Sequence, residues 1–207
     1  MNTILLSFVK NAILGIVAYL IIVIPREYLR IFLYKLNLSI FFSERIEKEE
    51  SIYLRKPHFY SYIDPLGLIT FLFLDFGWSH TPGIDYRKVK GKRLFIFSSL
   101  GIISNILLFL IYGTISRLTN SNYAFQLFYV GAKWSLTMAI ISLFPFPPLD
   151  GSKLILSFLP SKYYEWYLKF SFYGILFMIG LIVLWIFPMI MQPLIIFISN
   201  VTNFLIF

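Results

Sequence analysis

Four long apolar runs dominate the sequence and restrict what it can fold into. They cover residues 4–24, 95–115, 125–146 and 170–191. A helix needs about 20 apolar residues to cross the hydrocarbon core of a bilayer. Hydrophobic residues make up 58% of the chain and charged residues only 14%, which is well below the charged share of soluble domains. The sequence therefore predicts an all-α polytopic membrane protein, with residues 1–207 forming a single domain.

The charges between the apolar runs predict the orientation. Eighteen basic and 10 acidic residues give a net charge of +8, and the strongest basic cluster covers residues 85–93. Because basic loops favour the cytoplasmic side, this cluster is predicted to be cytoplasmic and the N-terminus external. Topology explains the charge without nucleic acid, so membrane lipid is the expected partner. The first run lacks a small-residue cleavage pattern and is expected to remain as a span.

Three other segments are too short or too polar to cross the membrane. Residues 66–78 include Asp75 and would form a helix of roughly 20 Å against a core of about 30 Å, so they are predicted to enter and return. Residues 193–207 are predicted to be interfacial, after a last span that Pro188 breaks near its end. Residues 44–56 are rich in charge and are predicted to form a solvated loop or a pair of surface strands.

Charged side chains beside apolar runs are candidate functional residues, because charge is costly within a membrane. Arg26 and Arg30 lie four residues apart, so they share a helix face, and Glu27 follows Arg26. A simpler interpretation is a basic pair that reaches towards lipid headgroups. Pro25 directly precedes this motif and is expected to bend the helix. Asp150 follows a proline-rich break, where it could coordinate a cation or cap the next helix.

The remaining polar candidates have ordinary structural interpretations. Asp64 precedes a proline and could cap a helix. Asn105 lies within an apolar run and could form an interhelical hydrogen bond. His58 and His80 lie in loops, where histidines are more often surface residues than metal ligands. The sequence contains no cysteine, which excludes disulfides and thiolate metal sites.

The order and spacing of these motifs resemble the short bacterial branch of the site-2 protease family, which are intramembrane zinc metalloproteases. Residues 26–30 stand at the family's H-E-x-x-H helix, and the other similar segments are 64–67, 76–78, 101–105 and 142–151. The core motifs thus fall within residues 20–152, while 161–207 form a less diagnostic C-terminal part. The resemblance implies a transmembrane helix bundle with a re-entrant or short segment in a bacterial cytoplasmic membrane. Its motif-bearing loops would lie on the cytoplasmic side, with Glu27 at the general-base position and Asp150 at a zinc-ligand position.

The sequence departs from the family at the chemistry. Arg26 and Arg30 replace both zinc-binding histidines, Tyr62 replaces a histidine and Ser142 replaces an asparagine. A guanidinium is permanently protonated and has no lone pair to give a metal. Asp150 alone would not hold a catalytic zinc, which takes three protein ligands and a water. We therefore expect no metal cofactor, and we expect the two arginines to form ion pairs with the two carboxylates.

Three functions remain open on these residues. The first is an inactive relative of the proteases, in which Glu27 is vestigial, that binds a membrane partner or transmembrane segment. The second is an active zinc endopeptidase that uses His58 or His80 together with Asp150. The third is a transporter or ion pathway built on the intramembrane charges. Asp64, Asn105, Ser142 and Tyr62 are candidates for substrate-binding or structural roles.

Overall fold

The computed structural model describes residues 2–42, 58–74, 76–81, 89–160 and 162–206, and the regular structure in these ranges is helical. The elements are α1 Asn2–Phe41, a 3₁₀ turn Phe59–Tyr62, α2 Pro65–Leu74, α3 Lys92–Leu118, α4 Asn122–Ile141, α5 Asp150–Phe158, α6 Lys162–Val183 and α7 Ile186–Ile206. Among the described residues, length and composition suit four stretches to crossing a membrane: Ala12–Phe41, Lys92–Leu118, Asn122–Ile141 and Ile186–Phe204. The predicted all-α membrane fold is confirmed. Residues 44–56, Asp75 and residues 85–88 of the basic cluster lie outside the described ranges.

Helix α3 lies at the centre of the bundle and packs against α1, α4, α5 and α7. Its buried face carries small and polar side chains, including Ser98, Gly101 and Ser104. Small residues allow membrane helices to approach closely. Gly101 lies about 14 Å along α3 from its first residue, at 1.5 Å per residue. A side chain that reaches Gly101 is therefore inside the bundle.

Helix α1 continues through the proline that was expected to bend it. It is a single helix of 40 residues with Pro25 in its interior, about 60 Å long at 1.5 Å per residue. Proline is tolerated within membrane helices, because neighbouring groups bind the carbonyl that it leaves without a donor. The predicted first span therefore extends through the motif. Arg26 and Arg30 stay on one helix face, one turn apart.

The short segment after Tyr62 enters the bundle and returns. Helix α2 has 10 residues, or about 15 Å, and residues 76–81, which have no regular secondary structure, lead back towards its start. We call residues 76–81 the returning segment. A side chain on Gly67 would collide with the backbone of Trp78, and one on Gly77 with the carbonyl of Gly67. The His80 N–H donates to the Tyr62 carbonyl at 2.9 Å and joins the two ends. The two ends of this segment therefore lie together, as the predicted re-entrant shape requires.

The C-terminal helices differ from the prediction. The expected continuous span at 170–191 is wrong, because it is divided between α6 and α7. The last candidate span by length and composition is Ile186–Phe204, which takes in most of the segment that was expected to be interfacial, 193–207. The chain breaks before α7 at Trp185, whose φ is 61°. Pro188 lies in the first turn of α7, where its missing N–H leaves no hydrogen bond unmade. Pro193 is accommodated inside the helix.

Helix α6 lies across one end of the bundle. The start of α6 lies beside the start of α3. The Gly91 N–H, just before α3, donates to Tyr164 Oη in the first turn of α6 at 2.8 Å. Helix α7 starts three residues after α6 ends, and its last turn meets the first half of α4 through a Tyr129–Asn203 hydrogen bond. Helix α7 therefore starts at the end of the bundle where α3 starts. Since α6 begins and ends there, it covers that end and does not cross the bundle.

Candidate functional site

A cluster of charged side chains lies inside the bundle. Arg26, Glu27 and Arg30 come from α1, and Asp150 is the first residue of α5. All four are buried, and Glu27 and Arg30 have no exposed surface. Charges removed from water in this way persist only when they are paired and hydrogen-bonded.

Both guanidiniums bind the same carboxylate oxygen. Nη2 of Arg26 donates to Asp150 Oδ2 at 2.5 Å, and Nη2 of Arg30 donates to the same atom. Nη1 of Arg26 also donates to Glu27 Oε1, and Nη1 of Arg30 lies 3.5 Å from Glu27 Oε2. The ion pairs expected between the two arginines and the two carboxylates are therefore present. They bring together α1 and α5, which lie more than a hundred residues apart in sequence.

A third cation, Lys153, completes the cluster and was missed in the sequence. Its Nζ donates to Asp150 Oδ1 at 2.9 Å, and its side chain is buried. The signal was available, because residues three apart on a helix are neighbours. With Lys153 included, the cluster holds three positive and two negative side chains. Asp150 is thus held by cations on both of its oxygens.

Two hydroxyls on the returning segment, residues 76–81, also bind the arginines. Ser79 Oγ accepts from Arg26 Nη1 and donates to Glu27 Oε1 at 2.6 Å. Thr81 Oγ1 accepts from Arg30 Nη1 at 2.6 Å. The re-entrant segment is therefore tied to the charged cluster.

Helix α3 makes room for the cluster at Gly101. A Cβ atom there would lie 2.5 Å from Arg30 Cζ and 2.5 Å from Asp150 Oδ2. One turn earlier, the Phe97 ring centre lies 5.1 Å from Arg30 Cζ, a cation–π distance. Only glycine fits where the ion pair touches α3.

Asp64 and Asn105 lie outside this cluster of charges. Asp64 Oδ1 accepts from the Gly67 N–H at 2.9 Å, so the carboxylate caps α2. Asn105 is fully buried one turn beyond Gly101. Within the described ranges neither side-chain atom of Asn105 has a hydrogen-bond partner, so the expected interhelical bond is not seen. A buried amide of this kind normally binds water.

Tyr62 stands near the cluster as a neutral side chain. It is buried, and its ring lies 5.3 Å from that of Tyr28 in an edge-on arrangement. Burial, and to a smaller extent Tyr28 and Glu27, raise the pKa of Tyr62 to about 12. Its hydroxyl has no partner among the described residues. The phenol is therefore neutral at pH 7.

Ser142 helps to close the cluster at the end of α4. Its carbonyl accepts from the Gly151 N–H at 2.6 Å. This bond fixes residues 143–149, which we call the proline loop and which lead into Asp150. Ser142, Arg26 and Asp150 line a cavity of about 10 Å³. This volume accommodates about one water molecule. A peptide cannot enter the cluster without rearrangement.

The donor set does not fit zinc. Arg26 and Arg30 have no lone pair to share, and their N–H groups already bind both carboxylates. In the part of the chain that the structure describes, no three histidine, cysteine or acidic side chains are grouped to hold a metal. His58 is exposed and stacks on Tyr60, and His80 is also exposed. Two carboxylates are too few for a catalytic zinc, which takes three protein ligands.

Comparison with known proteins gives a partial match. The chain is 30% identical over 111 residues to "Putative zinc metalloprotease YwhC" from Bacillus subtilis (strain 168). The match covers 48% of this chain and 51% of that protein, so the chain spans about half the length of the curated relative it matches. No family model matches the chain, and no solved structure matches it. The match and the candidate spans support a membrane protein resembling the site-2 proteases.

Proposed function

We propose that this protein is a catalytically inactive relative of the intramembrane zinc metalloproteases, and that it binds a transmembrane segment of a partner without cleaving it. One observation carries the proposal: Arg26 and Arg30 both donate to Asp150 Oδ2. The resemblance puts zinc ligands at these three positions. An oxygen that accepts from two guanidiniums is not available to a metal.

Charge balance explains how the bundle can persist without a metal. In a zinc site of this type, the metal balances one glutamate and one aspartate, and its histidine ligands are neutral. In this protein Arg26 and Arg30 supply two positive charges to Glu27 and Asp150, and Lys153 adds a third at Asp150. The hydroxyls of Ser79 and Thr81 satisfy further guanidinium N–H groups. The arginines therefore substitute for the electrostatic role of the metal but not for its Lewis acidity.

The proposed partner would contact the surface beside the cluster. The cavity among Arg26, Ser142 and Asp150 has room for about one water. Leu143, next to Ser142, is 56% exposed and offers an apolar surface beside the cluster. A transmembrane segment that packs there would reach the proline loop without displacing an ion pair.

Metal content and proteolysis test the inactive state. We expect the protein, purified with zinc supplied during growth and dialysed, to contain no stoichiometric zinc and to cleave no transmembrane substrate. Stoichiometric zinc removed by chelator, together with cleavage abolished by Glu27→Gln, would establish the active enzyme instead. Ion flux in vesicles that Glu27→Gln abolishes would establish the transport alternative.

Site-specific crosslinking tests the partner. A photoreactive residue in place of Leu143 should capture a membrane protein of full length in native membranes. The matched control is Leu110, which is 54% exposed on the middle of α3. Equal capture from both positions would contradict binding beside the proline loop, and captured cleavage fragments would contradict inactivity.

A further inference from the structure

The corner where α6 meets the start of α3 gathers basic side chains. Lys90 Nζ lies 5.3 Å from the centre of the Tyr164 ring, and Tyr164 Oη accepts from the Gly91 N–H. Lys162 and Lys92 are exposed, each the first residue of its helix. We call Lys90, Lys92 and Lys162 the basic corner. The contact between α6 and Gly91 brings the three lysines to one end of the bundle.

Among the described residues near the basic corner, few carboxylates oppose it. In residues 89–118, 150–160 and 162–183 the acidic side chains are Asp150 and Glu165. Asp150 is buried and bound by three cations, so it does not face the corner. Glu165 is exposed one turn after Lys162 and balances at most one of the lysines. The first turn of α3 has no acidic residue and no side-chain cap, so its N–H groups add to the positive potential.

An apolar groove lies directly beside the basic corner. It has a volume of about 120 Å³ between the proline loop, α5 and α6, and its lining includes Pro147, Ile155 and Leu159. Tyr163 and Trp166 form its α6 side, and both are exposed. Tyr163 follows Lys162, whose Nζ lies 5.1 Å from the Tyr163 ring centre. The positive charge and the apolar groove are therefore continuous.

The position of α6 indicates what this combination binds. Tyrosine and tryptophan concentrate at the level of lipid headgroups, and a helix that lies across the end of a membrane bundle is at that level. A phospholipid there offers a phosphate and an acyl chain on one molecule. A soluble phosphate would leave the groove unused, and a neutral lipid would leave the lysines unused.

We infer that the basic corner and the groove together bind one anionic phospholipid. Its phosphate contacts Lys90, Lys92 and Lys162, and one acyl chain lies in the groove against Ile155 and Trp166. This site is separate from the Asp150 cluster and does not depend on whether the protein is a protease. The lipid would hold α6 against the bundle.

Quenching of tryptophan fluorescence by brominated lipid tests the inference. The full-length protein is reconstituted in phosphatidylcholine vesicles with increasing brominated phosphatidylglycerol, or with brominated phosphatidylcholine. The Trp166 signal is obtained by difference from Trp166→Phe. We expect phosphatidylglycerol to quench Trp166 at a several-fold lower fraction than phosphatidylcholine. Each lysine of the basic corner should contribute to this preference, because each adds attraction for an anionic headgroup.

Matched variants separate the site from general charge. The triple variant Lys90→Gln, Lys92→Gln, Lys162→Gln should lose the preference. The triple variant of equal charge Lys35→Gln, Arg117→Gln, Lys169→Gln should keep it. Equal quenching by the two lipids in the unaltered protein, or a preference that survives the first triple variant, would overturn the inference.

A groove variant tests the acyl-chain position. Ile155→Phe adds volume to the groove without touching the lysines, and Ile155 is 51% exposed, so the change should leave folding intact. We expect weaker quenching of Trp166 by phosphatidylglycerol. Unchanged quenching would refute the placement of the chain in the groove.

Discussion

Replacing Gly101 with alanine would place one methyl group against the buried ion pair. The new Cβ would lie 2.5 Å from Asp150 Oδ2 and 2.5 Å from Arg30 Cζ, below the 3.0 Å that real Cβ atoms respect. Asp150 cannot retreat easily, because Arg26 and Lys153 also hold it. Arg30 is fully buried, so no solvent lies beside it into which its guanidinium could move. We expect the guanidinium of Arg30 to leave the carboxylate.

The expected loss is large. Breaking a buried ion pair costs roughly 3–5 kcal/mol. Alanine in place of glycine in a helix returns about 1 kcal/mol, so the net loss is about 2–4 kcal/mol. At roughly 2–4 °C per kcal/mol for a chain of this length, thermal unfolding in detergent should shift down by about 4–16 °C.

Gly180→Ala is the matched control, because no atom lies within 4 Å of a Cβ built on Gly180. Its unfolding temperature should stay the same or rise slightly. Introduced into an Arg30→Ala background, Gly101→Ala should cost much less than it does alone, because the main clash is gone. If Gly101→Ala and Gly180→Ala unfold at the same temperature, the ion pair does not lie against α3 and the reasoning fails.

Three further substitutions test separate parts of the structure. Changing Arg26 and Arg30 to histidine together should complete a three-donor set with Asp150, so elemental analysis should find about one zinc per chain; a metal-free double variant would refute the convergence of the three positions. Tyr19→Phe removes a hydroxyl that donates to the Trp78 carbonyl at 2.6 Å, and thermal unfolding should show that the free energy of unfolding falls by about 1–3 kcal/mol; unchanged stability would contradict that bond. Tyr62→Phe should be neutral or slightly stabilising in the same assay, because the hydroxyl has no described partner. Burial raises the pKa of Tyr62 to about 12, so the variant should also leave the phenol titration near pH 10 unchanged.

The charged cluster was partly predictable. The spacing of Arg26 and Arg30 is a local signal that fixes them on one face, whereas the approach of Asp150 was implied by the family resemblance. Lys153 is equally local, three residues after Asp150, and could have been included. The contacts of Ser79 and Thr81 could not be predicted, because they depend on where the returning segment passes α1.

The C-terminal helices show where composition stops being informative. The run at 170–191 is apolar enough to cross a membrane, yet the chain breaks within it at Trp185. A tryptophan at positive φ is uncommon and gives no signal in the sequence. Pro188 looked like the break but lies in the first turn of α7, where proline is well tolerated. The sequence therefore does not indicate that the last candidate span begins at Ile186.

The sharing of Asp150 Oδ2 by two guanidiniums makes this centre hard to alter one codon at a time. A single change of Arg26 or Arg30 to histidine would leave one guanidinium on the oxygen that a metal needs, and one imidazole too few. Such an intermediate would keep one guanidinium on Asp150 and would lack a complete coordination sphere. Both arginines must therefore change before a metal can bind, and the first of these changes alone brings no metal-binding site.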